Sequence, residues 1–573
     1  MTMTGTPEKS PAGAVVITPA VTEVDSASTL SATPIELIAW FLVLVAAAAL
    51  RIFSLSLTPL SQAEGGRALG SWSAAQGTVL DAWPGSVLDA LTALIFRVFG
   101  SGDAAARIVP AIAGMVLVAS FWLLRPHMGR APVLVAAILS AISPVFVYDA
   151  RTVGSQALGA ALAVAVAAVV LSFLARPRPR LLIVAATLLS FGLGTDAVFL
   201  GAMLLIGLWL VLRGFWQGSD DVRVAMTAVR DTGAWLVSAL PLVLAGLLLA
   251  CSRFGTGFSR LRPAAAASWS LAFNPTRPGT PWHYLIDVIA GYALPATILG
   301  GVGVYLLLRD GSWRERPILG LLIVWLGGGA AVNLFMAGRD PSSLLLTFVP
   351  LVLIAGVAVD RIIRSVAVSR PETIDFVLGA GLIAAAAYTV LAGAELVTTD
   401  VINAWQVWAG LLLMAVCAGG ALVRWRQDGA ATAAPLLAAA ALIAVLADLH
   451  GAGSVRSGGD EFLSGQRTTP QGKVFAMLLV ANGGGVDDVT HQSLLPLEWY
   501  LRNTIASGGH GTAKLFDTNT QLPLGFAQSG EAANVSRIWS PRSLSGTGML
   551  RWWIYREAWA DIADVTVRLV ESR

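Results

Sequence analysis

The chain has 573 residues, of which 56% are hydrophobic and 13% are charged, and its mean hydropathy is +0.71. This composition is too apolar for a soluble globular protein, and a net charge of +3 gives no indication of nucleic-acid binding. The two cysteines, Cys251 and Cys417, fall in or near apolar stretches, which excludes a disulfide framework in an exterior domain. The composition therefore indicates a protein that crosses a membrane many times.

Thirteen apolar stretches follow an N-terminal segment, residues 1–34, whose Thr, Ser, Pro and Ala content predicts a disordered cytoplasmic tail. A helix needs about 20 residues to cross a bilayer, and most of the stretches approach that length. The first is too long for the apolar part of a signal peptide and lacks a clear cleavage motif, so we expect it to remain as an anchor. The predicted spans are 35–56, 105–124, 131–148, 155–175, 181–194, 196–213, 233–251, 284–308, 317–337, 342–359, 374–397, 403–423 and 432–450. Between 181 and 213 a re-entrant or tilted pair is an alternative.

Basic residues predict the orientation of these spans. Arginine is concentrated in alternate connections, for example residues 176–180 and 309–316, whereas the short connections on the opposite side contain only Arg151 and Arg339. The positive-inside rule then places the N-terminus in the cytoplasm, and an odd number of spans places the C-terminus outside. We therefore expect a multi-pass protein of the plasma membrane. Its transmembrane domain would be residues 35–450, and its two large exterior segments would be residues 58–104 and 451–573.

The first exterior segment, residues 58–104, contains two predicted helices. Residues 60–76 form an amphipathic pattern that begins at Ser61 and breaks at Gly77, and residues 86–99 have apolar positions at helical spacing. Trp83 and Phe96 are placed for the membrane interface. Glu64 would then lie near the membrane surface, where we expect its surroundings to raise its pKa. The alternative is that Glu64 and Arg67 form only a surface ion pair worth a few tenths of a kcal/mol.

Several segments, taken in order, resemble the GT-C glycosyltransferases, with the dolichyl-phosphate-mannose–protein mannosyltransferase branch as the nearest likeness. The segments are PLSQAEGGRALGSW and SGDAAARIVPAIAG around the first exterior segment, SPVFVYDARTVGSQ at 143–156 and GRDPSSLLLTFVPLVLIAG at 338–356. PLEWYLRN at 496–503 and LRWWIYREAW at 550–559 resemble a prokaryotic subgroup with a C-terminal exterior domain. The resemblance implies an α-helical polytopic fold with interfacial helices in the first exterior segment.

The resemblance also implies an activity, the transfer of a sugar from a polyprenyl-phosphate donor to a protein or glycan acceptor on the outer face of the membrane. Such a reaction needs a carboxylate that takes the proton of the acceptor hydroxyl, and Glu64 is the candidate. The family usually carries Asp-Glu here, with the Asp acting, but this chain has Ala63 before Glu64. Asp81 and Asp149 are candidate substitutes. Membrane lipid is a further expected partner, nucleic acid is not, and no metal ligands are predicted.

Arginines are the expected ligands of the lipid phosphate, because a planar guanidinium matches phosphate oxygens. Arg67, on the first predicted helix, is one candidate. Arg151 and Arg339, at the ends of spans, are two more, and for these two the alternative is snorkelling to the interface. The exterior loop 252–283 adds Arg253, Arg260 and Arg262 between aromatic residues. This loop either forms an anion site or lies flat on anionic headgroups.

The C-terminal segment, residues 451–573, is more polar and predicts a small α/β domain after a linker over 451–472. The predicted elements are a strand at 474–480, a helix at 494–503, a strand at 513–517 and a helix or strand at 549–559. Residues 482–485 give only a weak phosphate-turn pattern. The i,i+4 spacing of Asp487 and His491 is more typical of a polar helix than of a metal site. Tryptophans near 552 either pack the domain or stack on a glycan.

The sequence therefore favours a membrane glycosyltransferase that uses a polyprenyl-phosphate sugar donor. The alternative is a catalytically degenerate GT-C-like scaffold or a partner that handles or exports lipid-linked sugars in envelope glycan assembly. The sugar, the acceptor and any metal requirement cannot be read from the residues.

Overall fold

The computed structural model describes most of the helical part of the chain and the regular elements of its C-terminal part. The described residues are 33–77, 87–217, 240, 284–335, 343–366, 372–399, 404–428, 430–457, 461, 463, 466–481, 486–489, 495–506, 513–517, 526–528, 533–538, 546–556 and 563–572. They form a bundle of long apolar helices, with a mixed helix and sheet region packed at one end.

The bundle is built from helices of different lengths. These are α1 (Pro34–Ile52), α2 (Gln62–Gln76), α3 (Val87–Phe99), α4 (Asp103–Ser120), α5 (Arg125–Met128), α6 (Arg130–Ile142), α7 (Pro144–Arg151), α8 (Gln156–Ala175), α9 (Pro179–Gly192), α10 (Ala197–Gln217), α11 (Tyr284–Tyr292), α12 (Leu294–Asp310), α13 (Ser312–Glu315), α14 (Pro317–Phe335), α15 (Leu345–Val366), α16 (Thr373–Thr399), α17 (Trp405–Asp428) and α18 (Ala434–Ser457). A 3-10 turn, Phe121–Leu124, joins α4 to α5.

Within the described ranges, nine helices are long and apolar enough to cross a membrane, and the bent pair α6 and α7 makes a tenth. The predicted polytopic helical architecture is therefore confirmed. The predicted span 181–194 is the short apolar helix α9, and the predicted span 284–308 is the broken pair α11 and α12. The predicted span 233–251 lies outside the described residues except for Leu240, and so does most of the predicted tail.

The bend between α6 and α7 follows from the dipeptide Ser143-Pro144. Proline has no backbone N–H and disfavours the helical conformation of the residue before it. Ser143 is accordingly extended, with φ −62° and ψ 128°, and Pro144 begins the next helix. The two helices differ in direction by 61°. This bend brings the end of α7, residues 151–155, towards the helices of the first exterior segment.

Helix α15 lies at the centre of the bundle, with Phe348 and Val352 completely buried. Glycines let neighbouring helices approach its backbone, because a Cβ at Gly303 of α12 or Gly329 of α14 would lie within 3 Å of α15 carbonyl oxygens. The outermost helices instead expose apolar side chains, such as Trp408 on α17. This distribution suits a bundle whose outer surface contacts lipid rather than water.

A buried ion pair joins α1 to α5 at one end of the bundle. Arg125 Nη2 donates to Glu36 Oε2 over 2.9 Å, and both side chains are about 6% exposed. Charged groups placed this deep in a membrane protein need a partner, because desolvation of a lone charge is costly. A second buried pair at the opposite end of the bundle belongs to the candidate site.

The C-terminal part contains three helices and a six-stranded sheet. Its elements are β1 (Gln466–Thr468), α19 (Pro470–Ala481), β2 (Val486–Val489), α20 (Leu495–Ala506), β3 (Ala513–Asp517), β4 (Phe526–Gln528), β5 (Ala533–Ile538), α21 (Gly546–Tyr555) and β6 (Ala563–Ser572). The strand order is β1-β5-β6-β3-β2, and β4 also pairs with β6. The β2–β3 pair is parallel, and the others are antiparallel.

Several predictions for this part are correct and several are wrong. The predicted helix at 494–503 is α20, the strand at 513–517 is β3, and the element at 549–559 is helix α21. The predicted strand at 474–480 is wrong, since these residues belong to helix α19; a short apolar run has no periodicity that distinguishes the two. The predicted linker at 451–472 is wrong at both ends, since its first residues continue α18 to Ser457 and its last residues form β1 and the start of α19. Asp487 lies on strand β2, so helical i,i+4 spacing to His491 does not apply, and His491 lies outside the described residues.

Candidate functional site

Helix α2 begins as the sequence predicts. Ser61 is its N-cap, and a capping box joins Ser61 to Glu64: the Glu64 amide donates to Ser61 Oγ, and the Ser61 amide donates to Glu64 Oε2 over 2.9 Å. The helix ends at Gly77, whose φ of +78° is easily adopted only by glycine. The end of the bundle where α2 lies is called the α2 end below, and it is the predicted exterior end.

Glu64 forms a buried ion pair with Arg107 of α4, and not the predicted surface pair with Arg67. Arg107 Nε donates to Oε1 over 2.8 Å, and Nη2 donates to Oε2 over 2.9 Å. The Val153 amide also donates to Oε1, over 3.1 Å. Together with the Ser61 amide, four donors among the described residues therefore occupy both oxygens of this carboxylate.

The pKa of Glu64 is lowered, so the expectation of a raised pKa is wrong. Burial by itself would raise it, but the charge of Arg107 and the hydrogen bonds from Arg107, Ser61 and Val153 outweigh burial. A carboxylate with a low pKa and occupied lone pairs is a poor proton acceptor. These contacts give Glu64 a structural role, and its predicted catalytic role stays a prediction that they do not favour.

The remaining donors of Arg107 hold the connection between α1 and α2. Nη1 donates to the carbonyls of Leu55 and Thr58 and to Thr58 Oγ1, and Nη2 donates to the Pro59 carbonyl. The guanidinium thus fastens Glu64 and the backbone before α2 to the first turns of α4. This arrangement fixes the position of α2 relative to the membrane helices.

Arg67 lies one turn after Ala63 on α2 and is half-buried. Its Nη1 donates to the Val153 carbonyl over 3.1 Å, and its other donors have no hydrogen-bond partner among the described residues. Gly154 provides the space beside it, because a Cβ there would lie 3.0 Å from Arg67 Nη1 and in contact with Gln156 Oε1. Arg67 therefore presents a cation with unused donors at the α2 end.

Asp196 is a second acidic group at this end, on the connection between α9 and α10. Its Oδ1 accepts a hydrogen bond from the Phe199 amide over 3.3 Å, which caps α10. Burial raises the pKa of Asp196 to about 6, although the charge of Arg67 acts in the opposite direction. The carboxylate packs against Gly159 of α8, where a Cβ would collide with Oδ1.

The guanidinium of Arg151 donates to the ends of other helices, and its predicted binding of a lipid phosphate stays a prediction. Its Nη1 and Nη2 donate to backbone carbonyls at the end of α1, at Phe53 over 2.8 Å and at Ser54 over 3.0 Å, and to the carbonyl of Arg456 on α18. A cation at helix C-termini satisfies carbonyls that lack partners within the helix. Arg151 therefore links α7 to the ends of two other helices, and snorkelling is excluded because the side chain is buried.

The other predicted site residues divide into two groups. Asp149 is 2% exposed on α7, two residues before Arg151, and it stays an untested candidate acid. Five residues lie outside the described residues, so their predicted parts also stay predictions: Asp81, Arg253, Arg260, Arg262 and Arg339.

The C-terminal part contacts the α2 end through Asp103, the first residue of α4. Lys473 Nζ donates to its Oδ2 over 2.7 Å, Trp499 Nε1 to its Oδ1 over 2.9 Å, and the Tyr500 hydroxyl to its Oδ2 over 3.1 Å. Burial and the charge of Asp103 both raise the pKa of Tyr500, so the phenol keeps the proton that it donates. Phe96 of α3 stacks on Trp499 with ring centroids 5.7 Å apart, instead of lying at the membrane interface as predicted.

The same contact fixes the residue from which α2 starts. The Leu60 amide donates to the Tyr500 hydroxyl over 2.9 Å, and the Thr468 hydroxyl donates to the Leu60 carbonyl. Both backbone groups of Leu60 are therefore held by the C-terminal part. Arg107 from the bundle and Tyr500 from the C-terminal part thus position α2 from two sides.

Comparisons with known proteins agree with this architecture. Residues 85–251 match the family described as dolichyl-phosphate-mannose-protein mannosyltransferase. The apo structure of ArnT from Cupriavidus metallidurans has a TM-score of 0.52 at 19% identity, covering 81% of this chain and 85% of that chain. The apo oligosaccharyltransferase of Archaeoglobus fulgidus has a TM-score of 0.51 at 11% identity, covering 84% of this chain and 69% of that chain. No curated protein matches the sequence significantly.

The chain has the fold of the GT-C glycosyltransferases. The resemblance that its motifs carry is therefore confirmed. A second ArnT structure, bound to undecaprenyl phosphate, matches with a TM-score of 0.50 at 18% identity over 81% of this chain and 84% of that chain. At these identities the likeness establishes the fold alone, so the role of each side chain is argued from its own contacts.

Sequence reasoning missed three charged residues that organise this GT-C site: Arg107, Asp103 and Asp196. Arg107 carried a signal, because a lone arginine inside an apolar span needs a partner to offset its desolvation. Asp196 carried a weaker one, as an acid between two predicted spans and next to Gly192 and Gly194. Asp103 had no signal that separates it from an ordinary acidic residue in the first turn of a helix.

Proposed function

We propose that this GT-C protein transfers a sugar from a polyprenyl-phosphate donor to a protein or glycan acceptor at the outer face of the plasma membrane. The observation that carries the proposal is Arg67, a half-buried cation with unused donors, held at the predicted exterior end of a GT-C bundle. One ArnT structure of the same fold contains undecaprenyl phosphate. In this proposal the phosphate of such a lipid lies against Arg67.

Arg67 suits this part for electrostatic reasons. As the bond between the sugar and the phosphate breaks, negative charge grows on the leaving phosphate, and a fixed guanidinium nearby stabilises that charge. Glu64 and Arg107 neutralise each other, so neither opposes the approach of an anion. Arg253, Arg260, Arg262 and Arg339 are proposed as further cations for the same phosphate.

Binding of undecaprenyl phosphate to the full-length protein in lipid nanodiscs tests the phosphate site. We expect Arg67→Ala to weaken binding about tenfold or more, because a hydrogen bond to a charged group contributes about 1.5–3 kcal/mol. Arg67→Lys keeps the charge but loses the planar guanidinium that matches two phosphate oxygens, so we expect an intermediate loss of binding. Arg364→Ala is the matched control, because Arg364 is exposed on α15 and pairs only with Asp360 among the described residues. Equal binding by Arg67→Ala and wild type contradicts the proposal.

Transfer itself is tested by incubating the same nanodiscs with a panel of polyprenyl-phosphate hexoses and pentoses and with peptide or glycan acceptors. Release of polyprenyl phosphate and formation of a glycosylated acceptor are followed by mass spectrometry. We expect release that depends on both the acceptor and Arg67. Release that Arg67→Ala leaves unchanged contradicts the assignment of the phosphate site.

A second function, a GT-C scaffold or lipid-linked-sugar handling partner, is favoured by one specific observation. Ala63 stands where the resemblance expects the acting acid, and the neighbouring Glu64 is occupied by Arg107 and by backbone donors. A scaffold would bind undecaprenyl phosphate through Arg67 and would release nothing from any donor in the panel. The binding and release assays together therefore separate the two functions.

A further inference from the structure

Only half of the Asp196 carboxylate is explained by its local structure. The Phe199 amide donates to Oδ1 and caps α10, and the Val198 amide and the Ser155 hydroxyl also favour the charged carboxylate, whereas Oδ2 is buried and accepts no hydrogen bond of good geometry from a described residue. A helix cap requires one oxygen only. A buried acceptor without a donor costs about 1–3 kcal/mol, so its presence in a folded protein needs an explanation.

Gln156, the first residue of α8, repeats this feature close by. Its side chain is 6% exposed, and its Oε1 is buried without a partner in the described part of the chain. Gly154 has no side chain, and the position that a Cβ would take there lies in contact with Gln156 Oε1 and 3.0 Å from Arg67 Nη1. Two acceptors without a donor among the described residues, Asp196 Oδ2 and Gln156 Oε1, therefore lie at the α2 end together with the unused donors of Arg67.

A hydrogen bond joins the two connections that precede α8 and α10. The Ser155 hydroxyl donates to the Thr195 carbonyl over 3.1 Å, which joins the connection before α8 to the connection before α10. The Arg67 charge acts on Asp196, although the two groups do not form a direct ion pair.

We propose that Asp196 Oδ2 is the proton acceptor of the transfer reaction, in place of the acid that Ala63 does not supply, and that Gln156 Oε1 accepts a hydrogen bond from a hydroxyl of the bound sugar. This inference rests on the function proposed above. The acceptor hydroxyl oxygen forms a bond to the anomeric carbon as the bond from that carbon to the phosphate oxygen breaks. The electron pair of the broken bond stays on the phosphate beside Arg67, and the hydroxyl proton moves to Oδ2.

Asp196→Asn tests the proposal without removing the helix cap, because Asn caps a helix as well as Asp does. We expect Asp196→Asn to bind undecaprenyl phosphate like the wild type and to release polyprenyl phosphate from the reactive donor at least about 100-fold more slowly. Asp196→Ser also keeps a capping oxygen and should lose release to the same extent. The matched control is Asp310→Asn, since Asp310 is half-exposed and pairs with Arg361 at the far end of α12.

A second variant asks whether a carboxylate can act from α2 instead. Ala63 is exposed in the first turn of α2, where an acidic residue is favourable. We expect Ala63→Asp to restore part of the release that Asp196→Asn loses, because both positions flank Arg67. Partial rescue would show that the lost group is a proton acceptor and not a structural support.

Each outcome has one meaning. Normal binding with slow release in Asp196→Asn supports the proposal. Release at the wild-type rate overturns it and leaves the proposed function intact. Loss of undecaprenyl phosphate binding in Asp196→Asn also overturns it, because the residue then acts on structure or on the phosphate. If the wild type binds the lipid and releases nothing from any donor, the proposed transferase function itself fails, and this inference fails with it.

Discussion

Two carboxylates at the α2 end of the bundle, Glu64 and Asp196, are in opposite states. Glu64 forms an ion pair with Arg107 and accepts two hydrogen bonds from backbone amides, and its pKa is lowered. Asp196 is buried with one oxygen lacking a partner among the described residues, and its pKa is raised to about 6. Both are acids beside a predicted membrane surface, yet one is neutralised by its surroundings and the other is not.

The difference separates structural from reactive acids. An acid that holds a fold is satisfied by its neighbours, which makes its proton affinity low and its removal costly. An acid that takes a proton during a reaction keeps a lone pair unoccupied, and burial raises its proton affinity towards neutral pH. The contacts of Glu64 are those of the first class, and the proposal places Asp196 in the second.

The largest expected effect is on the stability of the Glu64→Gln variant. Removing one charge of a buried pair leaves the other uncompensated, so we expect a loss of about 3–5 kcal/mol in the free energy of unfolding. Unfolding in detergent micelles, followed by circular dichroism, measures it. Glu36→Gln, which breaks the other buried pair with Arg125, is the matched control: we expect similar destabilisation there. A change below about 1 kcal/mol for Glu64→Gln would place Glu64 among the unsatisfied acids and remove the contrast with Asp196.

The same variant has a defined pH dependence. Because the pKa of Glu64 is lowered on folding, its contribution to stability is present above the ordinary pKa of a glutamate and is lost as the pH falls through the lowered value. We therefore expect the wild type to lose its advantage over Glu64→Gln as the solution is acidified. An advantage that grows on acidification would contradict the lowered pKa.

A smaller effect is expected at the contact that positions α2 from the C-terminal part. Asp103→Asn removes the charge that Lys473 and the Tyr500 hydroxyl contact, and we expect a loss of about 1–3 kcal/mol. Hydrogen exchange at the Leu60 amide, which donates to Tyr500, reports loosening at this contact directly. Unchanged exchange at Leu60 would mean that Arg107 alone holds the start of α2.

The smallest expected effect is on the free energy of unfolding of the Asp196→Asn variant, and it has the opposite sign. Asp196→Asn keeps the cap of α10 and removes a carboxylate whose burial is not offset by a partner at Oδ2, so stability should be unchanged or raised by on the order of 1 kcal/mol. Since the pKa of Asp196 is raised to about 6, wild-type stability falls as the pH rises towards that value, and any gain should be largest above it. Thermal unfolding at pH 5 and pH 8 measures both. Destabilisation comparable to that of Glu64→Gln would show that Asp196 is also a structural acid.

The local elements of the site were predictable from the sequence because interactions between residues close together in the chain determine them. The capping pattern of Ser61 and Glu64 and the glycine at 77 give α2 its observed bounds. The part that each charged residue plays was not predictable. The local spacing predicted an ion pair between Glu64 and Arg67, three residues away. The observed partner of Glu64 is Arg107, which lies 43 residues along the chain. Arg151 was expected at a lipid phosphate, but helix ends that are remote in sequence use its donors.

The sequence by itself determined the membrane class, most of the spans and the helices of the first exterior segment, because hydropathy and capping act within a few neighbouring residues. The tertiary structure alone decided which carboxylate is neutralised by an arginine and which keeps an oxygen without a hydrogen-bond donor among the described residues. That outcome depends on the bend at Pro144, which brings Val153 to Glu64, and on the small volume of Gly154 and Gly159, which admits Gln156 and Asp196. The number of hydrogen-bond donors around a buried acid depends on how the helices pack, so it cannot be read from a short stretch of sequence.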